Sequence, residues 1–177
     1  MNHAEGVFRD LEKVLTAVPE EETQRLLDAI VGAPRVFVYG LGRSGLMARA
    51  WAMRLVHMGQ DAVIVGGTTT PAIRDDDLLV ICSRTGRSPI LRHAVHLAHS
   101  EKASAAAIVG LPDTPIVRKA DLVLRLPIEV AEREAFQPMG SLFEQALLLY
   151  LDGLVVRLMD RLGITAEQME RVHFNLP

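Results

Sequence analysis

Two polar loops, each directly after a short apolar segment, constrain the fold of this chain more than any other feature. The first loop, GLGRSG at 40–45, follows the apolar segment 36–39, and the second, SRTGRS at 83–88, follows the apolar segment 78–82. A helical pattern begins after each loop, so both loops are expected where a strand passes into a helix. In an open parallel sheet, ligands bind at the carboxyl ends of the strands. The sequence therefore predicts that the two loops form one binding site at one edge of such a sheet.

The rest of the chain alternates between strand and helix patterns. The expected strands are continuous runs of Val, Ile, Leu and Ala, which is typical of strands buried on both faces. We predict strands at 35–39, 62–65, 77–82, 105–109 and 122–126, and helices at 44–58 and 89–100. Two N-terminal helices within residues 1–32 are expected to pack on this core. The 177 residues are expected to form one compact α/β domain with a parallel sheet covered by helices.

A long helix at about 139–162 is apolar around most of its circumference. A helix of this kind has to be buried on every side. At the α-helical rise it is about 35 Å long, and a domain of this size seldom encloses such a helix. We therefore predict that subunits pack together through this helix. The protein is expected to be a homo-oligomer, a tetramer in preference to a dimer.

Composition and charge exclude several other classes of protein. The net charge of −3 gives no overall basic field that would recruit nucleic acid. The most apolar stretch, 142–159, carries charged residues such as Glu144 and Asp152, so it is not expected to span a membrane. The chain has a single cysteine, Cys82, and no apolar leader in residues 1–10. We therefore predict a cytoplasmic protein with no internal disulfide and no membrane partner.

The second loop has the chemistry of a phosphate site. Three hydroxyl residues surround Gly86 there, and the helix that follows directs its N-terminal amides toward the same place. Such donors together suit a phosphomonoester, and Ser44 in the first loop can add a further hydroxyl. The alternative is that these hydroxyls serve only the turn and the helix cap, above all at Ser88 before Pro89. The predicted phosphate-binding residues are Gly42, Arg43, Ser44, Ser83, Arg84, Thr85, Gly86, Arg87 and Ser88.

The sequence carries no complete signature of a bound cofactor. The first loop fits the G-x-G-x-x-G pattern of dinucleotide-binding proteins, which also use an acidic residue at the end of the next strand to hold the ribose. Here the strand 62–65 ends in two glycines, and Asp61 lies at its other end. The histidines between 93 and 99 fan around a helix rather than converge on a metal. We therefore expect neither a metal nor an organic cofactor.

The GxGRS turn followed by an SxTGxS loop resembles the SIS (sugar isomerase) domain family. Five segments, 42–45, 49–55, 68–73, 137–145 and 173–176, resemble the 6-phospho-3-hexuloisomerases in particular. The resemblance implies a flavodoxin-like, doubly wound, five-stranded parallel sheet flanked by helices, with residues 1–177 as one SIS domain. It also implies a cofactor-free isomerase that interconverts 3-hexulose 6-phosphate and fructose 6-phosphate. Such enzymes act in formaldehyde fixation by the ribulose monophosphate pathway or in pentose synthesis.

Two departures from the family pattern leave the substrate open. Family members commonly read Gly-Glu-Thr-Thr-Thr-Pro, and this chain has Gly67 in place of that carboxylate. Their phosphate loop commonly reads Ser-Gly-Ser-Gly-Glu-Thr, whereas here Arg84 replaces the first glycine and Arg87 replaces the glutamate. The alternatives are therefore an isomerase of another phosphosugar and a non-catalytic SIS module that senses a phosphosugar.

Three side chains are candidates for the chemistry of such an isomerisation. Glu144, near the start of the long helix, is the first candidate for the base because an apolar site favours proton uptake by a carboxyl; the alternative is an acid that interacts with the helix dipole. His173 is the second candidate, since imidazole titrates near neutral pH and the tail can reach a neighbouring subunit; the alternative is an ordinary surface residue. Arg49 is a candidate partner of the enediolate or the phosphate, or else a member of a surface ion pair.

Overall fold

The computed structural model of this chain describes residues 2–131, 137–173 and 175. Its strands are β1 (Val36–Gly40), β2 (Ala62–Ile64), β3 (Leu78–Ser83), β4 (Ser104–Val109) and β5 (Leu122–Arg125). Its helices are α1 (His3–Thr16), α2 (Glu20–Gly32), α3 (Gly42–His57), α4 (Pro89–Ser100), α5 (Ser141–Leu162) and α6 (Ala166–Val172), with a short 3₁₀-helix at Ile128–Val130. Each predicted strand and helix is present, with small shifts at its ends.

The strands pair in parallel in the order β2-β1-β3-β4-β5. The chain first builds outward from β1 to β2, and then crosses back to place β3 on the other side of β1. The loops after β1 and β3 therefore leave the sheet where the strand order reverses, which is where ligands bind in open α/β sheets. The prediction of a doubly wound, five-stranded parallel sheet is confirmed.

Alternate side chains of the strands pack into two separate cores. Val38 and Val80 belong to the core formed with α1, α2, α3 and α5, whereas Phe37 and Ile81 belong to the core formed with α4. The central strand β3 is buried along its whole length. Helices cover both faces of the sheet, and this explains why the strands are uninterrupted apolar runs.

Helix α5 begins at Ser141, later than the predicted start at about 139. Met139 and Gly140 have positive φ angles of 61° and 92°. Residues in this left-handed region cannot continue a right-handed helix. The helix ends at Leu162, and the residue that follows it, Gly163, also has a left-handed backbone.

Most of the circumference of α5 is covered by the chain itself. Helices α1 and α3 pack along it, and its buried side chains include Phe143, Leu147 and Leu154. Leu149 and Val156 stay exposed. A single chain thus buries more of this helix than we expected from the size of the domain. The prediction of a homo-oligomer now depends on the apolar side chains that remain exposed.

The C-terminal segment is described in part. Of the segment 173–176, the structure describes His173 and Asn175, whereas Phe174 and Leu176 lie outside the described residues. Within the described ranges, no helix has both the length and the hydrophobicity needed to cross a membrane.

Candidate active site

A cavity of about 240 Å³ opens at the carboxyl ends of β1 and β3. Its wall combines the loops after these two strands with the first turns of α4 and α5. The lining residues are Leu41, Arg43, Ser44, Cys82, Ser83, Arg84, Thr85, Ser88, Leu91 and Glu144. The two loops that the sequence singled out therefore meet around one cavity, and α5 adds Glu144 to it. Leu41 and Leu91, which carry no sequence signal of their own, give the wall an apolar part.

In the first loop, glycines allow β1 and α3 to approach each other closely. A Cβ at position 45 would overlap the carbonyl oxygen of Gly40, and a Cβ at position 40 would lie 2.9 Å from the Cα of Gly45. Gly42 begins α3 and is not among the residues that line the cavity. The G-x-G-x-x-G pattern therefore has a structural role here, in packing a strand against a helix.

In the second loop, Ser83 and Gly86 fix the backbone. The hydroxyl of Ser83 accepts a hydrogen bond of 3.2 Å from the N–H of Gly86. Gly86 has a φ of 57°, and a Cβ there would overlap the side chain of Thr114. The turn-forming alternative considered for the hydroxyls therefore applies to Ser83, which also lines the cavity.

Three further hydroxyls in the cavity wall are available to a ligand. Ser44, Thr85 and Ser88 line the cavity, and their side chains make no hydrogen bond within the described part of the chain. Ser88 has the extended backbone of an N-cap residue before Pro89, but its hydroxyl makes no capping hydrogen bond. The structure therefore does not show the capping role that was considered for this hydroxyl. The three hydroxyls line the same cavity as the start of α4, whose N-terminal amides can add donors to an anion.

Glu144 and Arg43 form an ion pair at the cavity. Nε of Arg43 lies 2.7 Å from Oε2 of Glu144, and a second guanidinium nitrogen donates a hydrogen bond of 3.3 Å to the hydroxyl of Ser141. Oε2 of Glu144 is buried and makes no hydrogen bond within the described residues, so it has only the attraction of the charge on Arg43. The Glu144 side chain is 14% exposed, whereas that of Arg43 is 57% exposed. The carboxylate is thus held by a charge and keeps a lone pair for a ligand.

The cavity offers no thiolate nucleophile. Cys82 lies in its wall but is fully buried, and this burial raises the pKa of its thiol to about 12. The thiol therefore stays protonated at neutral pH. Among the described residues, no group of three or more His, Cys, Asp or Glu side chains is arranged to hold a metal ion.

The two arginines of the second loop occupy different environments. Arg84 lines the cavity, and its side chain lies against Gly140 at the start of α5. Arg87 is exposed and does not line the cavity. Only one of the two departures from the family loop therefore adds a positive charge to the cavity wall.

Arg49 and His173 do not line this cavity. Arg49 is exposed on α3. His173 follows α6 and lines a separate cavity of about 270 Å³ together with Arg54 and His57. The ring centroids of His57 and His173 are 5.1 Å apart, at an interplanar angle of 45°. Within one chain, the structure brings Glu144 to the second loop and leaves Arg49 and His173 away from it.

His57 makes the stability of the protein depend on pH. Burial lowers the pKa of His57 below its ordinary value of 6.5, and the neighbouring His173 and Arg54 lower it further. The unfolded chain therefore binds this proton more readily than the folded protein does, so the free energy of unfolding decreases as the pH falls below about 6.5. When the pH is lowered from about 7.5 to about 5.5, we expect the free energy of unfolding to decrease less in His57→Gln than in the wild type. Urea denaturation at the two pH values measures both decreases. The exposed His93→Gln is the control, and an unchanged pH dependence in His57→Gln would contradict this explanation.

Comparison with known proteins places the chain in a family. Residues 29–151 match the SIS domain family. The 3-hexulose-6-phosphate isomerase of Bacillus subtilis (strain 168) is 38% identical over 175 residues, which cover 96% of this chain and 95% of that protein. The 3-hexulose-6-phosphate isomerase of Mycobacterium gastri is 37% identical over 179 residues, which cover 99% of this chain and 90% of that protein.

A solved structure agrees with these relatives. The crystal structure of a hypothetical protein from Methanococcus jannaschii matches this chain with a TM-score of 0.84 and 31% sequence identity. From that structure, a molecular function of 3-hexulose-6-phosphate isomerase was inferred for the Methanococcus jannaschii protein. The match covers 99% of this chain and 97% of that chain. The chain therefore belongs to the SIS domain family and, within it, to the family of the 3-hexulose-6-phosphate isomerases.

Proposed function

We propose that this protein catalyses the interconversion of 3-hexulose 6-phosphate and fructose 6-phosphate. The observation that carries the proposal is the cavity at the reversal of strand order. There, hydroxyls that make no hydrogen bond to any described residue lie beside a carboxylate with one oxygen that likewise makes none. Relatives named for this reaction align with nearly the whole chain, which supports the same choice of substrate.

The reaction moves a ketone from C3 to C2 through proton transfers at adjacent carbons. In the direction of fructose 6-phosphate, a base removes the proton from C2, and the electrons of that C–H bond form the C2–C3 double bond of an enediolate. The hydroxyl proton at C2 passes to the C3 oxygen, the C2 carbonyl forms, and C3 accepts a proton. Glu144 is the base in this proposal, because its carboxylate lines the cavity and its Oε2 makes no hydrogen bond in the described part of the chain. The carboxyl formed in the first step can return its proton at C3.

Arg43 is suited to stabilise the enediolate. In the resting site its charge is paired with the carboxylate of Glu144, at 2.7 Å. When Glu144 takes up the C2 proton, the carboxyl becomes neutral and negative charge develops on the sugar oxygens. The positive charge of Arg43 is then available to those oxygens without a large movement of the side chain.

The second loop anchors the phosphate at the other end of the substrate. Ser44, Thr85 and Ser88 can donate hydrogen bonds to phosphate oxygens, beside the N-terminal amides of α4. An anchored phosphate fixes the position of the carbons that react, and this lowers the entropic cost of the proton transfers. The apolar side chains of Leu41 and Leu91 in the same wall reduce the water around the reacting atoms.

Turnover of freshly synthesised 3-hexulose 6-phosphate tests the proposal. Formation of fructose 6-phosphate is followed through phosphoglucose isomerase and glucose-6-phosphate dehydrogenase, with the coupling enzymes alone as the control. We expect robust turnover by the purified protein. A folded protein that binds the substrate without converting it would contradict the proposal and would favour a phosphosugar-sensing module.

We also propose that the reaction takes place in the cytoplasm, within formaldehyde fixation by the ribulose monophosphate pathway. The single cysteine, Cys82, is a free thiol, which is compatible with a reducing compartment. The choice of pathway rests on the resemblance of the sequence to the 6-phospho-3-hexuloisomerases.

We propose that exposed apolar side chains on α3 and α5 form the interface of a homo-oligomer, a tetramer in preference to a dimer. The two helices pack against each other. Leu46 and Met53 are exposed on α3, and Leu149 and Val156 are exposed on α5. The members of each pair are about two helical turns apart, so they lie on the same side of their helix. Neighbouring apolar stripes of this kind are suited to pack against a second copy of the chain.

Replacing both Leu149 and Val156 by glutamate is expected to lower the molecular mass of the protein in sedimentation equilibrium. Carboxylates are costly to bury in an apolar interface without partners. Leu97→Glu is the control, because Leu97 is an exposed leucine on α4, at the other face of the sheet. An unchanged mass in the double variant, or a monomeric wild type at micromolar concentration, would contradict the proposed interface.

A further inference from the structure

Arg84 is held over the start of α5, at the edge of the proposed substrate cavity. A Cβ on Gly140 would lie 2.7 Å from both Cδ and Nε of Arg84 and 3.5 Å from its Cζ. The arginine side chain therefore runs directly across Gly140, the residue that precedes α5. Gly140 also has a φ of 92°. Glycine is therefore favoured at this position both by the backbone conformation and by the closeness of the Arg84 side chain.

The main chain of Arg84 is fixed as well. Its carbonyl oxygen accepts hydrogen bonds from the N–H groups of Gly110 and Leu111, both at 3.1 Å, in the segment after β4. The preceding residue, Ser83, is buried and closes the turn with Gly86. The backbone of Arg84 is thus restrained, and its side chain lies against Gly140. Such restraint reduces the conformational entropy that is lost when the guanidinium binds a ligand.

The charges in the cavity wall give Arg84 a separate role from Arg43. The charged lining residues are Arg43, Arg84 and Glu144, which together leave a net charge of about +1. Glu144 neutralises Arg43, at 2.7 Å. In the part of the chain that the structure describes, Arg84 has no acidic partner. The excess positive charge of the cavity therefore belongs to Arg84.

We propose that Arg84 is the cation that binds the phosphate of the substrate in this cavity, an inference that rests on the proposed function. A planar guanidinium can donate two parallel hydrogen bonds to a phosphate. The hydroxyls of Ser44, Thr85 and Ser88 add donors to the same phosphate but no charge. Family members commonly have glycine at this position of the loop. Recognition of the phosphate charge through Arg84 would therefore distinguish this chain from those members.

Arg84→Gln tests the inference, because glutamine keeps hydrogen-bond donors and removes the charge. The matched control is Arg87→Gln, since Arg87 lies in the same loop but is exposed and outside the cavity wall. Isothermal titration with inorganic phosphate measures the anion site without any need for turnover. We expect Arg84→Gln to weaken phosphate binding and to raise the KM for 3-hexulose 6-phosphate by about tenfold or more, with kcat reduced less than about threefold. Arg87→Gln is expected to change each value less than about twofold, and Arg84→Lys to recover part of the lost affinity.

The outcomes separate this inference from the proposed function. Equal phosphate affinity in the wild type and in a folded Arg84→Gln would overturn the inference. An equally large loss in Arg87→Gln would also overturn it, because the charge of the loop in general would then be responsible. If phosphate binding depends on Arg84 but the wild type does not convert 3-hexulose 6-phosphate, the inference stands and the proposed function fails.

Discussion

Replacing Glu144 by glutamine is expected to leave the fold intact and to reduce turnover of 3-hexulose 6-phosphate by about two orders of magnitude or more. Glutamine has nearly the same shape as glutamate but cannot take up the C2 proton. It also leaves Arg43 without the carboxylate that holds it at 2.7 Å in the resting site. The measurement is kcat in the coupled assay, together with a circular dichroism spectrum and the unfolding midpoint of each protein.

The control for this variant is Glu167→Gln. Like Glu144, Glu167 lies in the first turn of a helix and pairs with an arginine, Arg171, at 2.7 Å. It does not line the cavity, so it reproduces the helix-dipole role without the proposed catalytic one. Activity close to that of the wild type in Glu144→Gln would remove Glu144 as the base. It would return the assignment to His173, which would then have to act in the cavity of another subunit.

Replacing Gly45 by alanine is expected to lower the free energy of unfolding by about 3 kcal/mol. The added Cβ would overlap the carbonyl oxygen of Gly40. The backbone of β1 cannot move away easily, because β1 pairs with β2 on one side and with β3 on the other. Urea denaturation measures the change directly.

Gly32→Ala is the matched control for Gly45→Ala. Gly32 is the last residue of α2, and a Cβ there would have no neighbouring atom within 4 Å. Alanine favours a helix more than glycine does, so this variant is expected to be unchanged or more stable by up to about 1 kcal/mol. Equal stabilities of the two variants would show that the close approach of Gly40 and Gly45 is not a packing constraint.

The sheet could be predicted because its signals are local. The segments 36–39 and 78–82 are continuous apolar runs, and each is followed by a glycine-containing loop and a helical pattern. These patterns alone place the carboxyl ends of the two strands at the same edge of the sheet, once the sheet is taken to be parallel. The cavity lies at that edge of the sheet.

Contacts between distant segments could not be predicted in the same way. The ion pair of Arg43 with Glu144 and the passage of Arg84 across Gly140 both join a strand–helix loop to the start of α5. Nothing in the local sequence around either arginine shows which of them lies at the cavity. The alternatives for the hydroxyls were open for the same reason. Whether Ser83 closes a turn, or Ser88 caps a helix, depends on side-chain directions that residue type does not determine.

The long helix shows how tertiary packing alters a sequence argument. The apolar circumference of α5 correctly indicates a buried helix, and the structure buries most of it against α1, α3 and the sheet. The sequence pattern cannot tell neighbours in the same chain from neighbours in another subunit. Leu149 and Val156, which stay exposed, are the residues on which the choice depends.

The most direct test of the proposed reaction follows the substrate carbon by carbon. 3-Hexulose 6-phosphate is incubated with the protein in D₂O, and the product is analysed by ¹³C and ¹H NMR, with Glu144→Gln in parallel. We expect fructose 6-phosphate to accumulate with the wild type, with any deuterium taken up at a carbon located on C3. Unchanged substrate with a folded wild-type protein, or deuterium located on C1 instead, would contradict proton transfer between C2 and C3 in this cavity.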